Sequence, residues 1–207
     1  MKTIVHEIPY SPASNLDEEI FTASSVFFDI ETTGFSPAHT SLYLIGCAYH
    51  IEQMLCIKQF FAETPEEEKE VLKQFLLLLD GFDTIITFNG IGFDIPYLKA
   101  KCNTYECNEH FADFTYVDIF KSISQIKHIL QLPNYKQKTI EAFLGIGRDD
   151  LYSGGELIEI YHSYTKEPRP DKLEILLLHN YEDVLDMPAL LPVLSYVHLF
   201  YGQYLSC

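Results

Sequence analysis

The chain has 207 residues, 47% of them apolar and 21% charged, the composition of a soluble globular protein long enough to bury a full core without staples. Its 14 basic and 30 acidic residues give a formal charge of −16 at pH 7, the wrong sign for a protein that coats nucleic acid through phosphate contacts. No run approaches 18 consecutive apolar residues, Met1–Ser14 lacks the charge and apolar core of a signal peptide, and five cysteines without a C-x-x-C pair make neither a disulfide frame nor a zinc site. The expectation is a cytoplasmic protein with no membrane contact.

Residues 1–24, with Pro9, Pro12 and the acids Asp17-Glu18-Glu19, predict an N-terminal strand or arm ahead of one domain over 25–207. Val26-Phe27-Phe28-Asp29-Ile30-Glu31 follows, an apolar run that finishes on two carboxylates one residue apart. A buried strand ending this way presents both acids on one face of the pleat. They repel each other unless a cation lies between them, although an ordinary strand end with solvated acids explains the pair equally well when it is taken alone. Gly34–Thr40 carries turn chemistry around Pro37, and Leu42–Ile51 and Met54–Phe61 read as two more strands, completing an antiparallel meander.

Thr64-Pro65-Glu66-Glu67 predicts a helix start, with Thr64 as N-cap and Glu67 closing a capping box, and the helix runs to Leu79 before Gly81. Thr84–Phe88 is a fourth strand, expected parallel to the first core strand because a helix precedes it. The loop Asn89–Pro96 leads into another helix. Tyr116–Ile119 predicts a short strand and 119–130 a helix. Asn134–Gly145 holds the one basic cluster, Lys136 and Lys138, and the glycines of Gly147–Gly155 do not follow the G-x-G-x-x-G spacing. Glu156–Lys166 and Lys172–Asp186 read as helices, with Pro188 kinking the second or starting another. Strands first, then alternating helix and strand, suit an α/β or α+β sheet flanked by helices.

Acids recur where core elements end. Asp29 and Glu31 close the first core strand, and Asp94 lies just past the fourth, where open α/β sheets place their sites. On the late helix His179, Asp183 and Asp186 share one face. Each has a plainer explanation by itself: Asp94 as a helix cap, Asp183 as a solvated helix acid, His179 as a core histidine.

The order of these pieces resembles the ribonuclease H-like, two-metal exonucleases of the DEDD group, and in particular their YprB-type branch. F-N-G-I-G-F-D-I-P at Phe88–Pro96 is similar to that branch's second motif. V-D-I-F at Val117–Phe120, K-T-I-E-A-F-L-G-I-G-R-D-D at Lys138–Asp150 and N-Y-E-D-V at Asn180–Val184 are similar to later ones. The resemblance covers Phe27–Leu194. It implies an α/β, ribonuclease H-like mixed sheet, antiparallel meander plus parallel strands, flanked by helices. It also implies a 3′–5′ exonuclease in which Asp29, Glu31, Asp94 and Asp183 hold two Mg²⁺ or Mn²⁺ ions that offset the substrate's charge and activate water.

Thr32, Asn89 and Phe93 become candidates for contacting the terminal nucleotide, Asn89 by hydrogen bond and Phe93 by stacking, beside the duller readings of turn geometry and core packing. One departure concerns proton handling. The branch has Tyr four residues ahead of its last Asp, whereas this chain has His179, giving H-x-x-x-D and not the H-x-x-x-x-D of the histidine subgroup. His179 is then the group expected to orient the attacking water. The charge of −16 points to gripping of nucleic-acid ends or short single strands, and leaves a role for a partner with a basic surface. Two alternatives remain open: a phosphatase with Asp29 as nucleophile, from D-x-E-x-T, and an inactive module that binds a partner.

Overall fold

The computed structural model describes residues 1–12 and 15–201, the last four of these as backbone. Residues 13 and 14 of the expected arm and 202–207 of the expected domain lie outside the described residues. Six strands form one mixed sheet: β1 (Lys2–Pro9), β2 (Ser25–Thr32), β3 (Leu42–Ile51), β4 (Met54–Phe61), β5 (Thr84–Thr87) and β6 (Thr115–Asp118), in the spatial order β1-β4-β3-β2-β5-β6. The pairs β1–β4, β4–β3 and β3–β2 are antiparallel, while β2–β5 and β5–β6 are parallel. The α/β class, the meander and the parallel fourth core strand are those the sequence predicts. The N-terminal segment contributes the edge strand β1, paired with β4 from Lys2 to Pro9, and then the short helix α1 (Asn15–Ile20).

β2 is central, and its sequence shows why. Val26, Phe28 and Ile30 point into a core with α2 (Glu68–Leu79), α3 (Asp94–Tyr105) and α7 (Gly154–Lys166); Phe27 points to the opposite face. There it meets α1, α4 (Ile119–Gln125), α6 (Gln137–Phe143) and α8 (Pro170–Leu190). Alternation carries Asp29 and Glu31 onto the Phe27 face, beneath α8. The acids therefore interrupt the second core at the strand's carboxyl end. A register shift between Glu31 and Thr32 ends regular pairing there.

Several local details differ from expectation. Thr64 makes no side-chain cap: the first turn, Pro65–Glu67, is a 3₁₀ turn. Glu67 turns its carboxylate outward to the backbone N–H of Glu63 at 2.7 Å and to the amino terminus, so the box does not close on Thr64. The closed capping box is instead Ser153 with Glu156, opening α7 two residues earlier than predicted. The helix predicted over 119–130 breaks at Ile126, whose N–H bonds Ile123, leaving α5 (Lys127–Leu130) as a separate turn. Residues 134–145 contain α6, a helix that the sequence does not predict. Pro188 lies within α8, two residues before its end at Leu190, and does not start the next helix; α9 (Pro192–Tyr201) begins at the following proline.

Candidate active site

The four acids and the histidine arrive from three elements. β2 supplies Asp29 and Glu31, the first turn of α3 supplies Asp94, and α8 supplies His179 and Asp183 one helical turn apart. Asp94 does not cap its own helix. Its Oδ1 accepts from the backbone N–H of Ile30 at 3.2 Å, tying α3 to β2 between the two strand acids. His179 directs Nε2 to Glu31 Oε1 at 3.5 Å and Asp183 Oδ2 at 3.3 Å. Asp186 shares the α8 face but is set one turn further along, and burial followed by the charge of Glu141 raises its pKa to about 7.

Each of the four carboxylates has one oxygen held by a donor. Asn180 Nδ2 donates to Asp29 Oδ2 (3.2 Å), the Tyr43 hydroxyl to Glu31 Oε2 (3.5 Å), Ile30 N–H to Asp94 Oδ1, and Arg148 Nη1 to Asp183 Oδ1 (2.6 Å). Anchoring fixes their orientation without neutralising the cluster. Burial first, then the charges of Asp183, Asp94 and Glu31, pushes the Asp29 carboxyl well above its ordinary value. Burial, Asp183, Asp94 and Asp150 do the same to Glu31. Burial raises Asp94 to about 7 against the pull of backbone N–H groups. Anionic oxygens crowded in a desolvated pocket are the donor set that a hard divalent cation fits, because the cation removes the repulsion that holds their protons on.

Around this cluster, Arg148, Asp150 and Asn180 lie in the Lys138–Asp150 and Asn180–Val184 motifs, but the sequence assigns them no task. Arg148, only 7% exposed at its side chain, contacts both oxygens of Glu141 at 3.1 Å and the carbonyl of His179 at 3.2 Å as well as Asp183. Asp150 accepts from His179 Nδ1 at 2.6 Å and from Lys138 Nζ at 2.5 Å. Burial would raise Asp150, but those partners and the Tyr152 N–H hold it below the usual range. Lys138 is thus committed to Asp150 and is not a free phosphate contact. Asn180, fully buried, is oriented by Gln59 Nε2 donating to its Oδ1 at 3.0 Å. Gly46 on β3 makes room for it, since a Cβ there would overlap the Asn180 carboxamide. A glycine inside a strand of β-formers marks such close approach, and that signal stood in the sequence unused.

The three candidate substrate contacts lie at the rim. Thr32 gives its hydroxyl hydrogen to the carbonyl of Gly34 at 2.9 Å. Asn89 adopts φ 66°, with its backbone N–H on Asp118, the residue that caps α4 and also holds the Ile91 N–H. Phe93 packs at a tilt of 48° against Tyr97 and meets Phe35 edge-on, and Phe35 is 90% exposed. Beside Asn89 runs a groove of about 440 Å³ lined by Phe88, Phe120, Tyr135, Lys127 and Lys136. Gln137 also lines it, and donates to the carbonyl of Asp183 at 2.7 Å.

A family model for the RNase_H superfamily matches residues 26–195. The chain belongs to the RNase_H superfamily. The stretch from Val26 of β2 to the end of α8, and with it every acid of the cluster, falls within the match. The uncharacterized protein YprB of Bacillus subtilis is 29% identical over 177 residues, 84% of this chain and 41% of that protein. Among solved structures, the family B DNA polymerase of Pyrobaculum calidifontis superposes with a TM-score of 0.64 at 19% identity, over 83% of this chain and 24% of the polymerase. Brucella melitensis NrnC with bound Mg²⁺ superposes at 0.54 and 17% identity over 89% of this chain and 78% of NrnC, and NrnC bound to pGG at 0.52. At these identities the likeness is one of fold. This RNase_H superfamily chain spans about two-fifths of the length of YprB.

Proposed function

We propose that the chain is a metal-dependent nuclease that hydrolyses phosphodiesters at nucleic-acid ends, in the 3′–5′ direction, with Asp29, Glu31, Asp94 and Asp183 holding a pair of Mg²⁺ or Mn²⁺ ions. The observation that carries this reading is the convergence of four anchored carboxylates at the end of β2, where burial and then the charges of Asp183 and Asp94 shift both Asp29 and Glu31 upward, and burial shifts Asp94 upward too. Bound there, divalent ions supply charge to offset the phosphodiester and to activate water. The chain's own residues do the rest. Asn180, Tyr43, Ile30 and Arg148 keep one oxygen of each acid turned away and leave the others to the pocket. His179 brings a nitrogen to the same point.

For the substrate, Asn89 at the groove mouth offers an exposed carboxamide, and Phe93 with Phe35 offers an aromatic rim against which a terminal base can stack. The groove supplies the two lysines, Lys127 and Lys136, for the phosphate that follows. The RNase_H fold and the pGG-bound form of NrnC support a reading in which short single strands or strand ends are the substrate. Incubation of 3′- and 5′-labelled DNA and RNA oligonucleotides with Mn²⁺, against a chelator control, tests it. A ladder from the 3′ end that vanishes in the chelator and in Asp29→Asn is the expected result. Intact oligonucleotides at every metal concentration would sink the reading in favour of a partner-binding module.

A further inference from the structure

We propose that His179 is itself a metal ligand, completing with Glu31 and Asp183 a mixed nitrogen–oxygen site that takes a divalent first-row transition ion in preference to Mg²⁺. This rests on the metal-dependent reading above and names the ion class for it. It moves His179 from the attacking water, the task the sequence resemblance suggests, onto the metal.

The geometry comes first. His179 Nε2 stands 3.5 Å from Glu31 Oε1 and 3.3 Å from Asp183 Oδ2, and among the described residues these three form the one group whose ligand atoms all lie within 4.8 Å of one another. Ligands about 2.1 Å from a shared ion, at right angles, sit about 3 Å apart. The outer oxygens of Glu31 and Asp183 are taken by Tyr43 and Arg148, so the inner ones face His179.

Hydrogen-bond accounting then fixes the ring. Asp150 Oδ2 receives Lys138 Nζ, and Oδ1 receives the Tyr152 N–H. A carboxylate so supplied only accepts, so the hydrogen in its 2.6 Å contact with His179 belongs to Nδ1. With Nδ1 donating to Asp150, it is Nε2, on a residue 8% exposed, that is turned toward the Glu31 and Asp183 oxygens. A divalent cation at the centre of these three atoms would draw on each of them as a ligand. A histidine whose far nitrogen is clamped by a carboxylate is the arrangement that orients metal-ligating imidazoles. Imidazole nitrogen suits transition ions, whereas Mg²⁺ keeps to oxygen and dehydrates reluctantly.

The test uses Mn²⁺ as probe on the whole chain. Electron spin-echo envelope modulation of the Mn²⁺-loaded protein should show the coupling of a directly bound ¹⁴N, converted to the ¹⁵N pattern by ¹⁵N-histidine labelling; this measurement needs no variant. Calorimetric titration should give tighter binding of Mn²⁺ than of Mg²⁺. His179→Gln should weaken Mn²⁺ by about tenfold or more with Mg²⁺ little changed, and Asp150→Asn should weaken Mn²⁺ by about 10–100-fold. Mn²⁺ bound at wild-type stoichiometry with no nitrogen coupling would overturn the ligand role and leave the metal-dependent reading standing. Failure of the wild-type chain to bind Mn²⁺ or Mg²⁺ would overturn both.

Discussion

Asn180 shows how much of the site rests on one side chain. It has no charge to bring to catalysis, yet it holds Asp29 by Nδ2 and is itself held by Gln59, all in a fully buried position against β3. Gly46→Ala would drive a methyl group into that carboxamide. Overpacking of this kind costs about 1–3 kcal/mol, and Asn180 can yield only by releasing Asp29. Denaturant melts of Gly46→Ala should show that loss of stability, with weaker Mn²⁺ binding in calorimetry. A variant as stable and as metal-competent as the wild type would mean that α8 can lift off β3 freely.

The crowded acids make a second prediction at this scale. Asp94 and Asp186 hold their protons to about pH 7, and Asp29 and Glu31 are shifted the same way. An unfolded aspartate releases its proton near pH 3.9. Between these values the folded chain binds more protons than the unfolded one, so metal-free stability falls as pH rises, by up to about 1.4 kcal/mol per pH unit for each such group. Thermal melts in chelator should therefore drop from about pH 5 toward pH 8. Saturating Mn²⁺ should flatten the slope. Metal-free stability that rises over that range would refute the burial and mutual repulsion of these acids on which the site reading depends.

At the scale of elements, Arg148 is where the loop after α6 is locked to α8. Its guanidinium joins Glu141 of α6 to Asp183 of α8 and reaches the His179 carbonyl. Removing it leaves Glu141, with no exposed surface, and Asp183 without a counter-charge. Breaking a buried pair from one side costs about 3–5 kcal/mol, and each kcal/mol is worth about 2–4 °C of Tm in a chain this long. Arg148→Met should thus melt far below the wild type, and adding Glu141→Gln should recover part of the loss. A melting point unchanged in Arg148→Met would show that α6 and α8 are held by packing alone.

These partners also mark the limit of what could be read from the chain. The strand acids stand where apolar runs stop, and periodicity finds such stops. The task of Arg148, Asp150 or Asn180 is set by a residue 35, 29 or 151 positions away, and nothing local announces it. Cap chemistry failed for a similar reason. Thr64 and Ser153 stand before comparable Glu residues, but Glu67 had nearer donors in Glu63 and the amino terminus, while Glu156 had none to draw it off its cap.

The whole molecule must reconcile its charge with a polyanionic substrate. Two divalent ions would offset only four of the sixteen excess negative charges. Three of the fourteen basic residues are also spent internally: Arg148 and Lys101 are buried in ion pairs, and Lys138 is bound to Asp150. What remains beside the pocket is the groove, where Lys127 lies over the rings of Phe120 and Tyr135 at 4.5 and 4.8 Å and Lys136 is exposed. Two lysines and a metal pair can grip an end but not a long duplex, because each phosphate neutralised adds about one unit to the salt dependence of binding. Binding of a short single strand to Asp29→Asn with Ca²⁺ present should therefore give a log–log salt slope equivalent to about one to three phosphates. Replacing Lys127 and Lys136 with Ala should lower it by about one to two. A slope of about six or more, insensitive to those two lysines, would mean that the nucleic acid follows a basic track on another face of the protein.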